Sequence, residues 1–149
     1  MAKFTETQRF TGWAYAVLGL TALISLGSLA AAPRLPAWLW LYVGLSLTLV
    51  VNLLCLRTTV TESDLVVAFG ALFPLYRRRI ALADIASAES VTYSPVADYG
   101  GWGIRGWGRS VALNARGSLG VRVTLQDGRR VLIGSQRPEE LAEALAARS

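Results

Sequence analysis

Two stretches of the chain, residues 11–32 and 37–56, contain no charged side chain, and beyond Arg57 the apolar positions change from blocks to alternation. Each block is about 20 residues long, the length a helix needs to cross roughly 30 Å of hydrocarbon. Pro33-Arg34-Leu35-Pro36 lies between them. Prolines there end one helix and start the next, so the pattern predicts an antiparallel helical hairpin with spans at 11–32 and 37–56. Trp13, Tyr15, Trp38, Trp40 and Tyr42 fall near the expected helix ends, where amphipathic rings favour an interface. Gly44, Thr48 and Asn52 share one stripe of the second helix and are predicted to form a helix–helix contact.

After Arg57 the period is that of strands. Residues 65–69 read as a strand ended by Gly70, and residues 72–82 as another with a proline at its start or edge. Further strands are predicted at 88–93, 111–114, 121–125 and 130–134, the last two joined by an Asp127-Gly128 hairpin turn. Residues 138–147 carry Pro138 and two acids in the first turn and an apolar face of Leu141, Ala144 and Leu145, a short amphipathic helix. The expected organisation is an N-terminal segment at 1–10, a hairpin at 11–56 and a strand-rich domain at 57–149.

Composition narrows the chemistry. There is no His, which removes the commonest general base and the commonest metal ligand. The single Cys55 excludes an intrachain disulfide; it reads as a packing residue, with palmitoylation as the alternative. Asp84, Asp98 and Asp127 read as turn residues. No catalytic, cofactor or metal-binding residue is expected, and no small-molecule substrate is indicated. The net charge of +5 rests almost entirely on Arg, and scattered basic residues make a nucleic-acid partner unlikely on sequence grounds. Lys3, Arg9, Arg57 and the Arg77, Arg78 and Arg79 triplet outweigh Arg34, so a multi-pass cell-membrane protein with both termini cytoplasmic is expected. Arg57 and the triplet are then candidates for a membrane-surface basic face. Ala30-Ala31-Ala32 also resembles a signal-peptide cleavage site, but the apolar run is long and a second follows at once. The blocks hold no ionisable residue, which argues against a transporter or channel.

Residues 98–109, Asp-Tyr-Gly-Gly-Trp-Gly-Ile-Arg-Gly-Trp-Gly-Arg, hold five glycines and two tryptophans. Gly101, Gly103 and Gly106 satisfy a G-x-G-x-x-G spacing. A dinucleotide site needs a helix straight after the glycines, and here a strand-like segment follows. Three readings stay open for this candidate interaction loop of Tyr99, Trp102, Arg105, Trp107 and Arg109. It bends the backbone at a barrel corner, dips into lipid headgroups, or anchors a protein partner. Of the two tryptophans, Trp102 is expected to be the more buried.

Residues 99–105, 121–134 and 134–141, placed behind the hairpin, resemble bacterial PH-like domain membrane proteins. The resemblance implies a membrane α-helical hairpin plus an all-β or α+β domain: a PH-like antiparallel barrel of about six or seven strands capped by the C-terminal helix. Most members of that group have no assigned activity. The function expected is a non-enzymatic, membrane-anchored interaction module acting through protein contacts at the inner face of the cell membrane. The alternative is an anionic-lipid surface sensor using the Arg-rich face and the Gly/Trp loop. Partners expected are the lipid bilayer and another protein or a second copy of the chain.

Overall fold

The structure, a computed structural model, describes residues 2–10, 12–31 and 36–147, without the side chains of Trp13, Leu29, Ala31 and Trp107. The chain begins as a strand. β1 (Phe4–Arg9) runs into helix α1 (Gly12–Ala31), and α2 (Ala37–Leu53) returns into β2 (Cys55–Val60). β1 and β2 pair antiparallel from Phe4 opposite Val60 to Arg9 opposite Cys55, and the Phe10 N–H donates to the Leu54 carbonyl at 3.2 Å. The two helices are thus an insertion in a β-hairpin. The N-terminal segment belongs to the strand-rich body instead of standing apart from it.

β3 (Asp64–Phe69) and β4 (Tyr76–Ala81) complete a four-stranded antiparallel sheet in the order β1-β2-β3-β4. A 3-10 turn at Leu82–Asp84 leads to β5 (Ile85–Thr92), helix α3 (Pro95–Tyr99), β6 (Gly103–Trp107), β7 (Ser110–Asn114), β8 (Leu119–Leu125), β9 (Arg130–Gly134) and helix α4 (Pro138–Ala146). These strands form a second sheet ordered β5-β8-β9-β7-β6, in which β7 and β9 are parallel.

Cross-strand rows explain the core. In the first sheet Phe4, Val60, Leu65 and Ile80 stand opposite one another, as do Gln8, Leu56, Phe69 and Tyr76. Apart from Gln8, they share a core with Val67 and with Val121, Val123, Val131 and Ile133 of the second sheet, and Leu141 and Leu145 of α4 are buried in it. Between those two rows runs one of Glu6, Thr58, Val67 and Arg78, of which only Val67 is apolar. The Glu6 carboxylate accepts from the Ser135 hydroxyl at 2.6 Å and the Gln136 N–H at 2.8 Å, and the Gln8 amide donates to the Gly134 carbonyl at 2.7 Å. These bonds tie β1 to the end of β9 and to the segment between β9 and α4. A smaller cluster of Tyr93, Ala112 and Leu132 is covered by Tyr99 at the end of α3.

Three expectations are corrected. Instead of a closed PH-like antiparallel barrel, the strands form two sheets, one containing a parallel pair. A membrane α-helical hairpin is overturned, because among the described residues no helix is long and apolar enough to cross a membrane. The clearest physical reason lies in α2. It has 17 residues, not 20, because Leu54 turns back onto the Val51 carbonyl and Cys55 already pairs with Arg9. Seventeen residues rise about 25 Å, short of roughly 30 Å of hydrocarbon, and a hairpin crosses only if both arms do. The multi-pass cell-membrane placement with both termini cytoplasmic falls with the spans. The loop residue Arg34, on which that orientation depended, lies outside the described residues, as does the Trp13 side chain.

Candidate functional site: an apolar helical pair and an arginine-lined cleft

α1 and α2 carry large apolar side chains that the rest of the chain does not cover. Leu23 is 69% exposed, Ile24 61%, Leu41 73% and Trp38 65%. Between the helices lies a groove of about 410 Å³, lined from α1 by Ala14, Val17, Leu18, Thr21 and Ser25 and from α2 by Tyr42, Val43, Ser46, Leu47 and Val50. Thr21 and Ser46 turn their hydroxyls back to the carbonyls of Val17 and Tyr42, one helical turn earlier, so the groove presents little unsatisfied polarity.

The stripe predicted for helix–helix contact does something else. Gly44 and Thr48 are exposed, and the Thr48 hydroxyl donates to the Gly44 carbonyl at 2.8 Å. Asn52 is buried and holds the β3–β4 loop. Its side-chain oxygen accepts from the Leu72 N–H at 2.7 Å and the Phe73 N–H at 3.3 Å, and its amide donates to the Phe73 carbonyl at 2.7 Å. The Ala71 N–H adds a bond to the Asn52 carbonyl. The groove-forming stripe of 43, 46, 47 and 50 is offset from the predicted one, whose Asn52 faces the β3–β4 loop.

That loop walls a second cleft, of about 340 Å³, on the outer face of the first sheet. Arg57, Ala68 and Arg77 stand in one cross-strand row, and Thr59, Val66 and Arg79 in the next. The arginine triplet is therefore split by the pleat. Arg77 and Arg79 share the outer face, while Arg78 stands in the inward row at the sheet edge. Arg79 is neutralised: its guanidinium donates to Asp64 at 2.6 Å. That bond, followed by one from Ser63, pulls the Asp64 carboxyl down to about 2, and the same partner raises Arg79. Among the described residues no carboxylate pairs with Arg57 or Arg77, and both line the cleft.

The glycine and tryptophan segment is structured. The Ser94 hydroxyl caps α3, accepting from the Ala97 N–H, and Gly100 ends it in the left-handed region. Residues 103–107 then form β6, the outermost strand of the second sheet, in a hairpin with β7. Trp102 is half-buried and its indole N–H donates to the Gly117 carbonyl at 3.2 Å. Tyr99 packs edge-on to Tyr93, with ring centroids 6.0 Å apart. Arg105 is exposed, donating to the Trp102 carbonyl, and Arg109 is exposed, its carbonyl accepting from the Arg130 N–H. The Trp107 side chain lies outside the described residues. Gly106 has a positive φ, and a Cβ there would strike the Ser110 carbonyl oxygen, so the β6–β7 hairpin demands glycine. Of the candidate loop residues whose side chains are described, Tyr99 packs on Tyr93, Trp102 bonds to Gly117 and receives Arg105 on its carbonyl, and Arg109 lies near Asp127.

Burial pushes the titration of the buried Tyr93 up, against a smaller opposing pull from Asn114. Among the described residues no group of three or more acids or cysteines is placed to hold a metal ion. No protein-family model matches the chain, and no curated protein is similar to it in sequence.

Proposed function

We propose that the chain is a non-enzymatic interaction module that acts through protein contacts, with α1 and α2 as the docking element and the two-sheet body as the platform that holds them. The observation that carries this reading is the exposure of Leu23, Ile24, Trp38 and Leu41 around helices that contain no charge. A helix that is apolar all round is stable where something covers it, and a continuous apolar surface of this kind marks an interaction site.

The occupant proposed is a second copy of the chain. An uncharged helical pair is matched by an equally uncharged one, and the molecule itself carries that surface. Two hairpins packed together make a four-helix arrangement, with small and hydroxyl residues at the groove (Ala14, Ser25 and Ser46) allowing close approach. The strand ladder from Phe4 to Arg9 fixes the direction in which the hairpin leaves the body, so pairing would hold the two bodies at a set distance.

Cross-linking tests this. In a Cys55→Ser background, Ser46→Cys in the groove should give a covalent dimer with a short bis-maleimide, and Ser110→Cys on the body should not. Equal cross-linking at both positions, or at neither, would sink the proposed interface.

A further inference from the structure

The cleft on the outer face of the first sheet is independent of the helical groove, and its chemistry is different. We infer that it binds a phosphate monoester carrying an apolar substituent, with the phosphate between Arg57 and Arg77 and the substituent against the β3–β4 loop. The two arginines flank Ala68 across three adjacent strands. Strand spacing puts their backbones about 10 Å apart on the same face, so two long side chains can converge on one group. Ala68 between them leaves the space open, and Thr59 also lines the cleft, while the Thr61 hydroxyl is taken up by the Asp64 backbone.

The donor set selects the head group. One guanidinium fork satisfies both oxygens of a carboxylate. Two guanidiniums with the Thr59 hydroxyl beside them exceed that demand and suit the three terminal oxygens of a phosphate monoester. Arg79 on the same face is occupied by Asp64, and Arg57 and Arg77 are the two arginines that line the cleft.

The wall selects the rest of the ligand. Leu72, Phe73 and Pro74 line the cleft, and Leu72 is 78% exposed. This wall is preformed. Gly70 has a φ of 144°, and a Cβ there would strike the Phe73 carbonyl oxygen, so the loop closes only over glycine. Asn52 then fastens it from below through three side-chain hydrogen bonds. A rigid apolar wall beside a pair of unneutralised arginines is built for an anion that is apolar at one end.

Calorimetric titration of the full-length chain tests the inference with hexyl phosphate, dihexanoyl phosphatidic acid, inorganic phosphate and hexanol. Hexyl phosphate should bind at least about tenfold more tightly than inorganic phosphate, and hexanol should not bind. Arg57→Gln and Arg77→Gln should each weaken hexyl phosphate by about tenfold or more, and Arg122→Gln on β8 should not. Unchanged melting temperatures would show that the variants fold. Equal affinity for hexyl phosphate and the phosphatidic acid assigns a soluble ester, and a large preference for the phosphatidic acid assigns a lipid headgroup. Either supports the site. No binding of any phosphate, binding indifferent to both arginine changes, or equal affinity for inorganic and hexyl phosphate would overturn it.

Discussion

Asn52 links the two halves of the molecule through a single side chain. It sits in the last turn of α2, and its amide group satisfies the backbone of the β3–β4 loop on both the donor and the acceptor side. Asn52→Ala removes all three bonds and should cost about 1–3 kcal/mol in a urea melt, with faster amide exchange at Leu72. Asn52→Asp sets a carboxylate oxygen against the Phe73 carbonyl at a buried position, so it should cost at least as much as Asn52→Ala. A second residue-scale device is the Asp64–Arg79 pair, which joins the start of β3 to β4. The Asp64 carboxyl is held at about 2, below its ordinary 3.8, chiefly by the Arg79 hydrogen bond. A lowered carboxyl favours the folded state above the unfolded value, and that contribution is lost as pH falls from the ordinary range through about 2. Wild type should therefore lose stability in that window more steeply than Asp64→Asn. Parallel acid-denaturation curves for the two proteins would show that the pair contributes nothing.

At the scale of elements, α4 is the piece whose loss should be most costly. Leu141 and Leu145 are buried in the core shared with both sheets, while Glu143 on the opposite side is exposed. Leu141→Ala should cost about 2–5 kcal/mol and Glu143→Ala close to nothing, read from thermal melts of the full-length chain. Equal melts would mean that α4 is not docked. This helix, β9 and the Asp127-Gly128 turn are legible in the sequence because their apolar spacing and turn chemistry are local. β1 is not. Its inward positions are Phe4, Glu6 and Gln8, so the apolar alternation that marks a strand is missing. Glu6 and Gln8 are satisfied by Ser135, Gln136 and Gly134, which no local pattern reveals. The end of α2 is illegible for another reason. The apolar run continues through Leu56, but a short apolar run has the same look in a helix and in a buried strand. Pairing with β1 decides it, and the strand begins at Cys55. The Gly/Trp segment reads as a loop because glycines are depleted from strands, yet it holds β6 on the sheet edge, where that depletion is weakest.

The whole molecule is a two-sheet body with a helical hairpin inserted between its first two strands. The basic residues of the candidate cleft are visible in the sequence as Arg57 and Arg77. Their convergence is not, because it depends on the register that sets both opposite Ala68. The docking role of the hairpin depends on what covers Leu23, Ile24, Trp38 and Leu41, and the occupant proposed is a second copy. Sedimentation equilibrium on the full-length chain, without detergent or lipid, measures this directly. The mass should be twice the 16.1 kDa of one chain, and Leu23→Lys with Leu41→Lys should return it to one chain while leaving the β-sheet circular dichroism unchanged. A wild-type chain that stays monomeric in buffer, or that remains in solution only as a monomer bound to lipid vesicles, would contradict the account.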